Sequence, residues 1–522
     1  MLVHQLRRRL HRHLVCTLLT VVSSVLLLSG SQPSAAQPVA FSPKYEVRAV
    51  WLTTLSGLDW PRTQGEAAQR RELCTILDQL HEAGINTVLF QTRIRGTVVY
   101  DGSSEPWDAA ISGTAGQRPT YDPLRVAVEE CHRRGMQLHA WVVTLPLGKW
   151  TSAGCRDMRR RQPSLVRRAA DNAFMDPTKA ATADYLGRLC ADITRRYDID
   201  GIHLDYIRYP DGWPRDATPA ATKRANITRI ARSIYEAVKR EKPWVIVSCS
   251  PVGKSDNLTR YSSRGWNARS AVYQDAQNWL AEGVMDALFP MMYFRDDHFF
   301  PFAIDWQEQS AGRLVVPGLG IYFLDPREGK WQLSDVQRQL SASRDIGMGH
   351  CYFRSRFLLD DVKGILQFSS HFDATPALLP PMPWLSDRRP AAPSQLRFMA
   401  GSLTWQLGAD SIREGGVVCN VYASREWPVD ISDPRHLIAT RLCGSRISLP
   451  ASALDMNFAV TCQNRYGLES QPAMLRLTSD DRTVRKARFN PSPLNTAWRP
   501  QAPGKAKKDG KKSRKEKKKK RK

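Results

Sequence analysis

Eight short, β-branched apolar runs alternate with longer amphipathic segments between Tyr45 and Leu366, and that alternation leaves few architectures open. Parallel strands cannot be joined by a tight turn, so each needs a crossover, usually a helix. The runs predict strands over 47–53, 87–91, 137–143, 201–205, 245–250, 287–293, 314–321 and 349–353. Helices are predicted over 66–83, 123–134, 181–197, 221–240, 273–282 and 333–344. Glu82-Ala83-Gly84, Arg133-Arg134-Gly135 and Asp345-Ile346-Gly347 each end a helix on a glycine, with a strand following at once. Eight such units predict an α/β fold, a (β/α)8 TIM barrel over residues 44–375. An open doubly wound sheet is the alternative.

Prolines between Pro376 and Pro393 break the rhythm and predict a linker over 376–390. Beyond it the period shortens. Strand-like runs at 402–405, 417–423, 446–449, 458–463 and 473–477 predict a small all-β sandwich over 391–478. The stretch Phe458-Ala459-Val460-Thr461-Cys462-Gln463-Asn464-Arg465-Tyr466-Gly467 resembles the penultimate strand and following turn of fibronectin type III modules.

The two ends of the chain read differently. Arg7, Arg8, Arg9 and Arg12 precede an apolar run over 14–28 and a small-residue site at Ser34-Ala35-Ala36, so residues 1–36 read as a secretory signal peptide. The run is short of the roughly 18 to 20 residues that cross a bilayer. An exported protein is expected, in the periplasm, the outer envelope or outside the cell. Of the 10 cysteines only Cys16 lies in the leader, and none of the others forms a CxxC pair. Cys419 and Cys462 fall on strands of the same small domain, and sequence does not decide whether they pair. The formal charge is +25, and residues 504–522 alone hold 13 Lys/Arg against Asp509 and Glu516. Residues 479–522 are therefore expected to be a disordered tail that attracts anionic envelope polymers or a membrane surface, with no specific nucleic-acid partner.

In a (β/α)8 barrel, chemistry gathers where the C-terminal ends of the strands meet. The run Asp200-Gly201-Ile202-His203-Leu204-Asp205-Tyr206-Ile207-Arg208-Tyr209-Pro210 is decisive there. Side chains alternate, so His203 and Asp205 share the face opposite Ile202 and Leu204, and Asp205 points into the mouth. Asp200 lies at the other end, where barrel residues serve stability. A mouth carboxylate suits glycoside cleavage, in which one carboxyl protonates the leaving oxygen and another attacks or stabilises the sugar cation. By the same parity Gln91 and Arg93 end the second strand, His139 and Trp141 the third and Tyr293 the sixth; Arg354 follows the eighth. With Tyr206 and Arg208 they are the expected sugar-binding residues.

These residues, in this order, resemble glycoside-hydrolase-like family ten of exported bacterial proteins, and the likeness spans the whole barrel. It is carried by Glu46-Val47-Arg48-Ala49-Val50-Trp51 with Asp59-Trp60-Pro61, by Gln91-Thr92-Arg93 with Glu105-Pro106-Trp107, and by Tyr121-Asp122-Pro123-Leu124 leading to His139-Ala140-Trp141. The 200–210 run follows. Later come Trp279-Leu280-Ala281-Glu282-Gly283 before Pro290-Met291-Met292-Tyr293, and Gly347-Met348-Gly349-His350 before Tyr352-Phe353-Arg354. The resemblance implies a barrel that hydrolyses a polysaccharide, with an acidic residue at the position of Asp205. Some relatives act on peptidoglycan glycan strands. Met291-Met292-Tyr293 departs from a more polar pattern at the sixth strand.

The second carboxyl is not obvious, since the fifth strand ends Cys249-Ser250-Pro251 and the sixth Met292-Tyr293. Glu105 and Asp296 are the loop candidates, with Asp297 beside the latter and Asp325 a poorer choice. The one HxH, His11-Arg12-His13, lies in the leader, so neither a metal centre nor a cofactor is expected. The competing reading is a non-catalytic envelope protein that binds glycan through a degenerate barrel.

Overall fold

A computed structural model describes residues 42–476, apart from 215, 400, 409–410, 412–414 and 454. The predicted signal peptide and basic tail lie outside the described residues. None of the described helices is long and apolar enough to cross a membrane.

The first three barrel strands are β1 (Arg48–Leu52), β2 (Thr87–Arg93) and β3 (Gln137–Val143). After β3 the chain makes an antiparallel excursion of β4 (Pro146–Lys149), β5 (Val166–Ala169) and β6 (Asn172–Met175), with helix Ala153–Arg161 inside it. The barrel resumes with β7 (Gly201–Asp205), β8 (Ile246–Cys249), β9 (Ala287–Leu288), β10 (Leu314–Val315), β11 (Gly318–Leu319) and β12 (His350–Tyr352). Every barrel pairing is parallel, in the order β10-β9-β8-β7-β3-β2-β1-β12-β11. β10 and β11 are halves of one strand, the first paired to β9 and the second to β12, so nine segments make eight staves and the ring closes.

Two expected strands are shorter than their apolar runs. The run 314–321 is split at Pro317, which has no N–H to donate, and 287–293 shrinks to two residues ahead of Pro290. Met291 keeps only single parallel bridges, to Val252 and Gly318. The long crossover helices, Glu66–Glu82, Pro123–Arg133, Ala180–Arg196, Ala220–Glu241 and Leu333–Asp345, fall within a residue of their predicted ends.

Alternation along the strands sorts side chains into two cores. Val50, Leu52, Val88, Phe90, Ile202 and Leu204 pack outward under the helices. Ala49, Trp51, Leu89, Trp141 and Phe289 fill the barrel. Gly201 is required by that filling, because a Cβ there would stand 2.6 Å from the ring of His139.

The C-terminal region is all β: β13 (Ser394–Met399), β14 (Ser402–Gln406), β15 (Val417–Ser424), β16 (Leu437–Leu442), β17 (Arg446–Ser448), β18 (Asn457–Asn464) and β19 (Ala473–Leu475). Two antiparallel sheets, β13-β14-β17 and β16-β15-β18-β19, close on a shared core of Leu403, Trp405, Val421, Phe458 and Val460. Cys419 and Cys462 face each other in register and are not joined by a disulfide, their sulfurs lying 4.0 Å apart.

This region abuts the N-terminal ends of the barrel strands. The proline-rich segment lays Leu379 and Met382 against Val47 and the interior cluster, and Glu46 N donates to Leu378 O at 2.9 Å. Asp200 accepts from Arg441 (2.8 Å) and Arg465 (3.2 Å) of the sandwich, with His132 Nε2 also 2.8 Å away. Burial alone would raise the Asp200 carboxyl, but the charges of His132, Arg441 and Arg465 hold it well below the usual carboxylate range.

Candidate active site

Asp205 closes β7 and is 8% exposed, at the base of a cavity of about 660 Å³ in the barrel mouth. Three donors converge on it. Tyr206 N (2.8 Å) and Ser250 Oγ (3.1 Å) bond Oδ1, and Trp141 Nε1 bonds Oδ2 at 3.2 Å. Burial nevertheless dominates and raises the Asp205 pKa, against the pull of these donors and of Arg208. Beneath it lies a neutral layer: His203 accepts from Trp51 Nε1 at 3.2 Å, contacts Ser248 Oγ at 3.0 Å, and burial drives its pKa well below the usual value.

The cavity wall draws on many elements. Thr53 and Gln91 come from the first two staves, Trp141 from β3, Met291 and Tyr293 from the turn after β9, and Phe353 with Arg354 from the turn after β12. The excursion adds Pro146, Gly148, Asn172, Ala173 and Phe174. Gln91 is held by Thr53 Oγ1 (2.6 Å) and by the backbone N–H of Leu55 (2.8 Å). Arg354 is tied to the buried Asp59, whose own pKa burial raises. The Tyr293 hydroxyl is buried and finds no hydrogen-bond partner among the described residues.

Of the expected site residues, the structure brings together Asp205, Gln91, Trp141, Tyr206, Tyr293 and Arg354. Seven others lie outside the cavity lining. Arg93 does not face the mouth: a bulge between Gln91 and Arg93 puts it in register with the outward-facing Val142. There it pairs with Glu105 through Nε (2.7 Å) and Nη2 (2.8 Å) and donates to Val143 O and Thr144 O. Glu105 is thereby excluded from the cavity too, its remaining capacity taken by Tyr185 Oη at 3.0 Å and its side chain fully buried. Asp296 is on the surface beside Arg338, and the neighbouring Asp297 is exposed as well. Asp325 is bound to Arg327 and does not line the cavity.

His139 has the right parity but the wrong depth. It lies near the start of β3, at the barrel floor, where burial lowers its pKa to about 4. Arg208 stands behind the wall, its guanidinium 4.6 Å from the Tyr206 ring and 5.5 Å from the Trp266 ring, and bonded to Asp211 at 3.0 Å.

Two wall residues were missed by sequence reasoning. Asp211 lines the cavity as its second carboxylate, 58% exposed. It lies six residues past Asp205, where a left-handed Tyr206 (φ 53°) has already taken the chain out of the strand and ended the parity rule. Arg95 lines the cavity two residues beyond Arg93, past the end of β2, where strand alternation no longer applies.

A family model described as glycosyl hydrolase-like 10 matches residues 46–216 and 210–322. Glycosyl hydrolase YngK of Bacillus subtilis (strain 168) is 26% identical over 387 residues, covering 67% of this chain and 76% of YngK. Glycosyl hydrolase DigH of Escherichia coli (strain K12) is 28% identical over 305 residues, covering 51% of this chain and 69% of DigH. Among solved structures, the PgaB (BpsB) glycoside hydrolase domain of Bordetella bronchiseptica aligns with a TM-score of 0.41 at 14% identity, over 62% of this chain and 98% of that one.

Proposed function

Because the chain belongs to the glycosyl hydrolase-like 10 family, we propose that it hydrolyses O-glycosidic bonds of a polysaccharide, with Asp205 as the catalytic carboxyl. One observation carries this: among the described residues, Asp205 is the buried carboxyl of the mouth cavity, and burial raises its pKa. A carboxyl that holds its proton in a partly dry site can donate it to the glycosidic oxygen as the bond to the anomeric carbon breaks. Asp211, held by Arg208, is the candidate to assist water or stabilise the sugar cation. The Tyr293 hydroxyl and the Gln91 and Trp141 side chains would orient the ring.

Export, and glycan strands of peptidoglycan as the polymer cleaved, are further parts of this reading, as is a fibronectin type III-like identity for the sandwich. The half-exposed position of Asp211 favours a second reading, retention of glycan without cleavage. Incubation of the signal-less chain with purified sacculi and other bacterial polysaccharides separates the two. Release of reducing ends that is lost in Asp205→Asn supports hydrolysis. Retention with no release in the unsubstituted protein overturns it.

A further inference from the structure

We infer that this cavity takes an acidic glycan, one with carboxylates near the bond acted on, and that Arg95 is the side chain that binds the acidic group. The inference rests on the glycan-hydrolysing reading of the same cavity and specifies its substrate class. The charged residues of the wall are Arg95, Arg354, Asp205 and Asp211. Arg354 is neutralised by the buried Asp59. Arg208, behind the wall, is matched by Asp211. Arg95 alone in this set is exposed and has neither an ion pair nor a side-chain hydrogen bond among the described residues. An unmatched guanidinium in a concave wall offers a planar fork of donors, and a carboxylate is the group that fits it two bonds at a time.

The surroundings strengthen the charge. Arg95 packs against the excursion: a Cβ built on Gly148 would lie 3.6 Å from the Arg95 Cβ, and one built on Gly154 would collide with its carbonyl oxygen at 2.4 Å. Across 146–175 the excursion carries Lys149, Arg156, Arg159, Arg160, Arg161, Arg167 and Arg168 against only Asp157 and Asp171. Asp157 is shared by Arg160 and Arg161, and Asp171 lies 3.9 Å from Arg168. Lys149, Arg156, Arg159 and Arg167 have no carboxylate partner among the described residues, and Arg159 and Arg167 instead lie on the faces of Trp150 and Trp213. None of these basic side chains lines the cavity itself, but a surplus of one sign flanking a cleft raises the local concentration of ligands of the other sign and costs self-repulsion when none is bound. A neutral glycan would leave that surplus unanswered.

Binding to the full chain bearing Asp205→Asn tests this without turnover. The probes are oligosaccharides containing hexuronic acid and peptide-free wall glycan, each beside a counterpart whose carboxyls have been reduced to alcohols. The expected result is that at least one acidic probe binds about tenfold more tightly than its reduced counterpart. Added Arg95→Gln should remove that preference, Arg95→Lys should restore part of it, and raised salt should weaken the acidic probe selectively. Any Lys-rich segment elsewhere is common to all these variants, so the Arg95 dependence isolates the cavity. If no acidic probe outbinds its reduced counterpart, or if the preference survives Arg95→Gln, the inference is wrong. If the preference holds while the unsubstituted protein cleaves none of the probes, the hydrolase reading fails alone. If the reduced probes are cleaved as fast as the acidic ones, the inference fails alone.

Discussion

Glu105→Gln separates a structural carboxyl from a catalytic one. The Glu105 side chain is fully buried, with both oxygens engaged by Arg93 and one also by Tyr185. An amide in its place keeps the shape but leaves the guanidinium of Arg93, itself fully buried, without its counter-charge. Breaking such a pair from one side costs about 3–5 kcal/mol, because the surviving charge stays desolvated. A chain of this size has an unfolding entropy of roughly 0.9 kcal/mol per kelvin, so the melting temperature should fall by about 3–6 °C. Calorimetry gives the shift, and turnover on a glycan, normalised to folded protein, gives the second readout. Turnover per folded molecule should stay within about threefold, since neither partner reaches the cavity. Replacing both partners, as Arg93→Met with Glu105→Leu, should recover much of the stability. An unchanged melting temperature with a hundredfold loss of turnover would refute this and return Glu105 to the role of acid.

Asp205→Asn should lower turnover by about 10²–10⁴-fold and raise neutral-pH stability by on the order of 1 kcal/mol, since a buried ionisable group is exchanged for a neutral one. The sign follows from its raised pKa: the Asp205 contribution is favourable below the usual aspartate range and is lost as pH rises through the folded value, so the gain from Asn should fade in acid. Denaturant titrations at neutral and acid pH would show a constant difference if burial of Asp205 were not the cause. Asp200→Asn should cost about 3–5 kcal/mol at neutral pH. Its lowered pKa reverses the pH trend, so the loss should shrink as pH falls below the usual aspartate range, and a pH-independent loss would count against the charge network. Trp266 is 51% exposed, with the Arg208 guanidinium by its ring. Trp266→Ala should raise KM on long oligosaccharides about fivefold and leave disaccharide KM nearly unaltered, whereas equal changes on both would remove it from the binding surface.

What was legible in the sequence depended on period and not on depth or contact. Eight staves and their crossover helices follow from alternation and glycine stops, and strict parity along β7 brings Asp205 to the mouth. The same parity misplaces Arg93, because one bulged residue inverts it. His139 shows that parity names a face and not a level: it points inward, two residues too early to reach the mouth. Glu105 could not be read at all, since its partner lies twelve residues away across a turn and its burial comes from helix Ala180–Arg196. In the C-terminal region β13 and β16 went unpredicted, since Ser394–Met399 alternates around Gln395 and Arg397, and Leu437–Leu442 is interrupted by Arg441. Arg441 is there to reach Asp200, a tertiary reason that no local pattern carries.

The way Leu379, Met382, Arg441 and Arg465 close over the near ends of the strands changes what may be trimmed from this molecule. A chain stopped at the proline-rich segment would open its apolar interior to water and strand Asp200 without two of its cations. The small sandwich is thus the stopper of the vessel: shortening the protein to its family-matching half would more readily give aggregate than a minimal enzyme.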